Sequence, residues 1–511
     1  MNRWIVNIGT SYARFVLAIL TVFFLTPHII ESIGIDQFGI WALVLAVTGM
    51  LGLLDFGLAT AAVKFVAETT GAKDTKGRNR VLSTLLTYYL AIGFLTLVVI
   101  FAVTQWGAGW STKITAIDGN YGNHLALLIG FTVALGLLVS LFRAALSGAG
   151  LMHISNCVEM AMTLLYAFLA VTSLSLDLGV RGLAMALAAS TLLGLIGLVG
   201  MSFRCLNDFR LRLRFTDWPF AKSLLAFSGW AFLANAAVLL ILRIDPLIID
   251  SFLPLAAVAS YAVAARIAEY SLLINKQFSN ALMPLLSQAH GAGSQETVRL
   301  VLVDGSRYLL AIAVPLLALL GFYASDLLVF WLGDEFAHVT PALRFLVAAV
   351  ACTVLQLNAA NTLGMTGRHR FVALAMAASA LLNVALTILL IPRYGLTGAA
   401  AATLVASASI ELGVILPAAC RHTGVRLLSF GRQVLLPCVA PLALTVTVVV
   451  ASEAAFPSAN LVSVLLHCAT GAVVYLALFF LLSLTAQERV FIVNQLIRLA
   501  PWSGAAQRGT A

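Results

Sequence analysis

The chain of 511 residues is 61% hydrophobic and 10% charged, with a mean hydropathy of +1.01, far more apolar than a soluble domain can bury. Lipid is therefore its solvent, and the net charge of +9 reports on topology rather than on nucleic-acid binding. Its apolar runs are about twenty residues long, enough for a helix to cross ~30 Å of hydrocarbon, which excludes a β-barrel of short alternating strands.

The amino terminus has a positive start and a long apolar stretch. Arg14 lies within that stretch and no small-residue cleavage site precedes Pro27, so a retained first helix is expected rather than a signal peptide. Spans follow near residues 8–30, 38–62, 81–105, 123–146, 155–176, 179–203, 224–245, 247–272, 308–332, 341–365, 371–392, 396–418, 434–455 and 460–484. The expected fold class is all-α integral membrane, with about fourteen transmembrane helices.

Charge supports that count independently. With the amino terminus in the cytoplasm, 22 of the 30 Lys and Arg residues fall in inner segments, among them Lys64, Lys73, Lys76, Arg78, Arg80, Arg214, Arg498 and Arg508. The outer loops hold only Lys113, Arg181 and Arg393, and are otherwise acidic, with Glu31, Asp36, Asp118, Asp177, Asp334 and Glu335. Both termini are expected in the cytoplasm. The longest inner segments, 204–222 and 284–307, are too short to be extramembrane domains. The six cysteines form no CxxC pair, so neither a disulfide framework nor a zinc knuckle is expected.

The first half recurs in the second. FLTPHIIESIGIDQFGIW resembles ILRIDPLIIDSFLPLAAVASYA, pairing Pro27 with Pro246 and Glu31 with Asp250. Gly150 pairs with Gly367, and Gly179 and Gly182 pair with Gly395 and Gly398, all displaced by 216 to 219 residues. Six helices repeated in the same orientation give two parallel lobes, related by a pseudo-two-fold axis along the membrane normal, with a substrate site at their interface. The expected division is 1–222, 223–420, two added helices over 421–485, and a cytoplasmic tail over 486–511.

Intramembrane charges are costly and mark function by default. In helix one, Asn7, Ser11, Arg14, Thr21 and His28 line one stripe, which should face water or substrate; Arg14 either lines a cavity or snorkels to phosphates. Asp55 in helix two is an ion-coupling candidate or a structural partner for an arginine. Helix eight carries Arg266, Glu269, Tyr270, Lys276, Gln277 and Asn280; Arg266 and Lys276 suit a pyrophosphate, and Glu269 either couples an ion or neutralises Arg266. Arg243 and Asp245 read as an exposed local pair, and Arg143, Glu159 and Glu411 as headgroup contacts near helix ends. No GxxxxGK[ST] loop, HExxH or DxD motif occurs, so neither ATP hydrolysis by that route nor metal catalysis is indicated.

The order FFLTPHIIESIGIDQFGIWALVLAV then GLLDFGLATAAVKFVAE resembles the polysaccharide transport branch of the multidrug, oligosaccharidyl-lipid and polysaccharide exporter superfamily. The family's Gly-Ile-Trp and Asp-Phe-Gly signatures match Gly39, Ile40 and Trp41, and Asp55, Phe56 and Gly57. The resemblance implies an inner-membrane flippase, not an enzyme, that moves an undecaprenyl-diphosphate-linked oligosaccharide from the cytoplasmic to the periplasmic leaflet by alternating access. It implies a cationic cavity, which points to Arg14, Arg266 and Lys276 as substrate contacts, with Asp55 and Glu269 for proton or sodium coupling. It further implies a monomer without a cofactor, working beside a glycan polymerase and a chain-length regulator. The rival readings are a multidrug or cation antiporter of the same superfamily, a lipid II flippase, and a membrane-embedded polymerase or glycosyltransferase, which would want a larger outer loop.

Overall fold

The computed structural model describes residues 3–105, 119–206, 208–213 and 216–490. Lys113, Asp118, Arg214, Arg498, Arg508 and most of the expected 486–511 tail lie outside the described residues. The described elements are all helical: α1 Arg3–Leu51, α2 Leu58–Gly71, α3 Thr75–Gln105, α4 Gly119–Gly148, α5 Met152–Ser175, α6 Gly179–Cys205 and α7 Trp218–Arg243. There follow α8 Asp245–Phe252, α9 Leu255–Ala281, α10 Met283–Gly291, α11 Gln295–Phe322, α12 Ala324–Leu332, α13 Thr340–Leu363 and α14 His369–Ala406. The last are α15 Leu416–Thr423, α16 Leu427–Val434, α17 Leu436–Ala455 and α18 Leu461–Leu482, with π-helical turns at Gly364–Arg368 and Ser407–Ile415.

Eleven helical segments among the described residues are long and apolar enough to cross a membrane. Two of them, Gly9–Asp55 and Asp334–Thr423, run for 47 and 90 residues, well beyond the ~20 that one crossing needs. Their continuity is interrupted by backbone that no helix contains. Gly34 has φ 78° and ψ 164°, Gly367 has φ 87°, and Gly395 has φ 55° and ψ −136°, each between two spans expected from hydropathy. The repeat reappears in these angles: Gly150 matches Gly367 (φ 76° and 87°), and Gly179 matches Gly395 (φ 54° and 55°). Their partners Gly182 and Gly398 are both sites of close approach, where a Cβ would lie 2.7 Å from Ser173 Cβ and 2.6 Å from the Leu390 carbonyl oxygen.

Two expected span boundaries are corrected. The 38–62 span is broken by a 3-10 turn at Gly52–Asp55 and by left-handed Phe56 and Gly57. The 247–272 span is split because Pro254 drives Leu253 into extended backbone (φ −127°, ψ 161°), and the long helix runs from Leu255 to Ala281 instead. The inner segment 284–307 is largely helical; Ser294 caps α11 by accepting a hydrogen bond from the Thr297 amide at 3.4 Å.

The chain divides into two compact units, Met1–Arg266 with His369–Ala406, and Ile267–Arg368 with Ser407–Ala511. In the first, α5 packs on α1 and α6, α4 packs on α3 and α6, and α14 packs on α7 and α8. Its core includes Leu58, Val66, Leu82, Leu85, Leu141 and Leu198, each at most 1% exposed. In the second, α11 packs on α13 and α18, with Leu319, Tyr323, Val449 and Val464 buried together. The outward faces carry Phe24, Phe94, Phe168, Leu381 and Val473, 67–70% exposed. Water would penalise such a surface; hydrocarbon does not.

Candidate functional site

The polar stripe of α1 does not stand open along its first turns. It meets a second stripe on α5. The Asn7 amide donates to the Gly150 carbonyl at 3.3 Å and its oxygen accepts from the His153 amide at 2.9 Å, while Asn156 donates to Thr10 and Ser11 at 3.1 and 2.9 Å. Next along the seam, Arg14 donates to Glu159 at 2.5 Å, and Arg143 of α4 faces the other carboxylate oxygen at 3.7 Å. The expectation that the whole stripe faces water or substrate is corrected for this stretch, as is the headgroup role for Glu159, whose side chain is only 14% exposed.

Two guanidinium groups share one carboxylate here. One carboxylate offsets one positive charge, so the cluster keeps a surplus of about one unit, and both arginine side chains remain roughly two-fifths exposed. A partly exposed cation of this kind keeps donors available for a further acceptor.

Asp55 occupies the 3-10 break of the second span. Its Oδ1 accepts from the Tyr89 hydroxyl and its Oδ2 from the Ala59 amide at 3.2 Å, so the carboxylate caps the first turn of α2. Tyr88 and Phe56 lie edge to face beside it, and Phe56 stacks on Phe232. The break and the cap go together: Phe56 and Gly57 are left-handed, the Phe56 amide donates to the Leu53 carbonyl at 2.9 Å, and the Asp55 carboxylate accepts from the Ala59 amide in the first turn of α2.

Asp245 is the residue that sequence reasoning placed wrongly. It is 4% exposed, not a surface partner of Arg243, whose side chain lies over Gly49 of α1. Its carboxylate accepts from the Tyr261 hydroxyl at 2.5 Å and from Thr387 and Thr403 at 3.5 Å, and Asn383 donates to Thr403 at 2.9 Å. Asn383 Oδ1 is buried without a donor. Groups from three helices, α8, α9 and α14, thus surround a carboxylate with neutral oxygens, an environment that suits a proton or a small hard monovalent cation. The available signal was a lone acid next to Pro246 in the repeat.

Helix α9 carries the remaining expected residues; Arg266, Glu269, Tyr270 and Lys276 are half-buried, and Gln277 and Asn280 are exposed. Arg266 belongs to the first unit, within electrostatic reach of Tyr166 of α5, whereas Glu269 and Lys276 belong to the second. Arg14 and Arg143 are brought together in the first unit.

Comparison with known proteins is consistent in class. A family model described as polysaccharide biosynthesis protein matches residues 33–341. The Haloferax volcanii protein named Probable flippase AglR is 23% identical over 409 residues, covering 79% of each chain. The solved structure of the lipid II flippase MurJ in an inward closed conformation superposes with a TM-score of 0.72 at 13% identity, over 93% of this chain and 98% of that one. An inward-facing multidrug resistance transporter of the MATE family and MOP superfamily gives 0.64 at 16% identity, over 79% and 94%. The chain has the fold of these transporters.

Proposed function

The chain belongs to the polysaccharide biosynthesis protein family, and from that membership we propose that it is a flippase carrying undecaprenyl-diphosphate-linked oligosaccharide from the cytoplasmic to the periplasmic leaflet of the inner membrane. The reading has about fourteen crossings. The breaks at Gly34, Gly367 and Gly395 support it, because they divide the two overlong segments at the expected span boundaries. It also keeps both termini in the cytoplasm, two six-helix lobes over 1–222 and 223–420, and two added helices over 421–485.

The carrying observation is the surplus charge at Glu159. Arg14, Arg143 and Glu159 all lie within about two turns of the expected cytoplasmic ends of their helices, the depth at which an inner-leaflet diphosphate sits. In this mechanism the diphosphate is captured there by charge-assisted hydrogen bonds, the prenyl tail stays in lipid, and Arg266 and Lys276 supply further cationic contacts as access alternates. Coupling to protons or sodium runs through a buried carboxylate. Asp55 and Glu269 are carriers, and Asp245 joins them on the strength of its neutral, fully enclosed oxygen surroundings.

The test is a double charge neutralisation, Arg14→Gln with Arg266→Gln, in a strain lacking the native gene. Surface polysaccharide should disappear while the protein still inserts in the membrane at normal abundance. Wild-type polysaccharide in that strain rejects the assignment, and a change in drug susceptibility alone supports the multidrug reading.

A further inference from the structure

The second unit contains a buried carboxylate that the transport reading does not use. Glu411 lies in the π-helical turn Ser407–Ile415 and is 3% exposed, where a headgroup contact near a helix end was expected. Hydropathy could not reveal this, because a π turn rotates the side chains after it out of helical register. The turn packs against α13, and Thr353 and Gln356 of that helix lie with Ser407 at hydrogen-bonding range of the carboxyl group. Gln356 is itself 1% exposed.

The atoms do not balance if Glu411 is ionised. Its Oε2 is buried without any donor, and so is Oε1 of Gln356, whose side chain lies within range of the carboxyl group. Both are acceptors in fully buried side chains, and an unmet buried acceptor is costly, the more so when charged. No cation offsets the charge among the described groups near it. From α13, Cys352 is the titratable group in electrostatic contact; Arg344 of the same helix is committed to the Gly321 carbonyl at 3.1 Å. From α15, which follows the turn, His422 is bound to Thr366 at 2.9 Å, Arg421 is exposed and Cys420 is buried.

We propose that Glu411 is a proton-binding site of the second unit, carrying its proton on Oε2 and donating it to Gln356 Oε1. A single hydrogen satisfies both orphaned acceptors at once. The site sits apart in the chain from the Asp245 cluster and is independent of what cargo is moved.

Infrared spectroscopy of the purified full-length protein at neutral pH tests this. A component of the carbonyl stretch of protonated carboxyl groups should be lost in Glu411→Gln, and the same component should shift in Gln356→Leu, which removes the acceptor. It should persist through a sodium chloride titration in place of potassium chloride. Should Glu411→Gln fail to fold, Glu411→Asp keeps the acid and must move the band. A band unaltered by these Glu411 substitutions, or one abolished by sodium, overturns the proposal. The readout needs no substrate, so its failure is separate from failure of the flippase assignment.

Discussion

Arg143→Gln separates charge from architecture at the Glu159 cluster. The 3.7 Å contact of Arg143 joins a side chain 45% exposed to one 14% exposed, so its loss costs well under about 1 kcal/mol of stability. The closer Arg14 pair stays intact and neutral. What disappears is the surplus positive charge, and with it a charge-assisted contact to the diphosphate of about 1.5–3 kcal/mol. That corresponds to roughly a 10- to 150-fold loss of substrate affinity, since each 1.4 kcal/mol is tenfold. Polysaccharide at the cell surface, measured in a complemented deletion strain with protein abundance followed by immunoblot, should fall several-fold or more at unchanged abundance. Arg143→Lys should recover part of it, because an ammonium keeps the charge but not the bidentate geometry. Wild-type output from Arg143→Gln, or a loss that simply follows loss of protein, would refute the reasoning.

Other perturbations address the remaining elements. Gly39→Ala brings a Cβ to 2.2 Å from the Leu255 carbonyl oxygen, so backbone must move; a stability loss of about 2–4 kcal/mol is expected in detergent melts, against a near-silent Gly9→Ala, where nothing lies within 4 Å. Asp245→Leu should lower the melting temperature more than Asp245→Asn, since leucine orphans the hydroxyls of Tyr261, Thr387 and Thr403, whereas asparagine retains an acceptor. At the cytoplasmic face of the proposed topology, burial pushes the Glu488 carboxyl up, but hydrogen bonds from Tyr308 and Thr485 and the Arg307 charge together hold it below the ordinary carboxylate range. A depressed folded-state value means its stabilisation is complete above the unfolded value of about 4.3 and is lost as pH falls through the folded one. Melting temperatures of wild type and Glu488→Gln should therefore differ at neutral pH and converge in strong acid.

Much of the architecture was legible because it depends on quantities that run along the chain. Apolar run length and the spacing of Gly150, Gly179 and Gly182 against Gly367, Gly395 and Gly398 report helices and repetition without knowledge of any long-range contact. The paired glycines even share backbone angles, since the conformation that ends one helix and begins the next is a local property. Breaks were harder: Pro254 announced one, but the turn at Gly52–Asp55 depends on Tyr89 and on the capping of Ala59 by Asp55.

By itself, then, the sequence determined an all-helical membrane chain with glycines that recur from its first half to its second. Only the tertiary structure decided which charges are spent on one another. Arg14 and Glu159 are separated by 145 residues, and Asp245 and Thr403 by 158, so no pattern along the chain encodes their meeting. Hydropathy measures how apolar a helix is, whereas the state of a buried carboxylate depends on which way the helix is rotated and what its neighbours offer. That rotation is set by packing across the unit, which is why Asp245 and Glu411 looked peripheral and are enclosed.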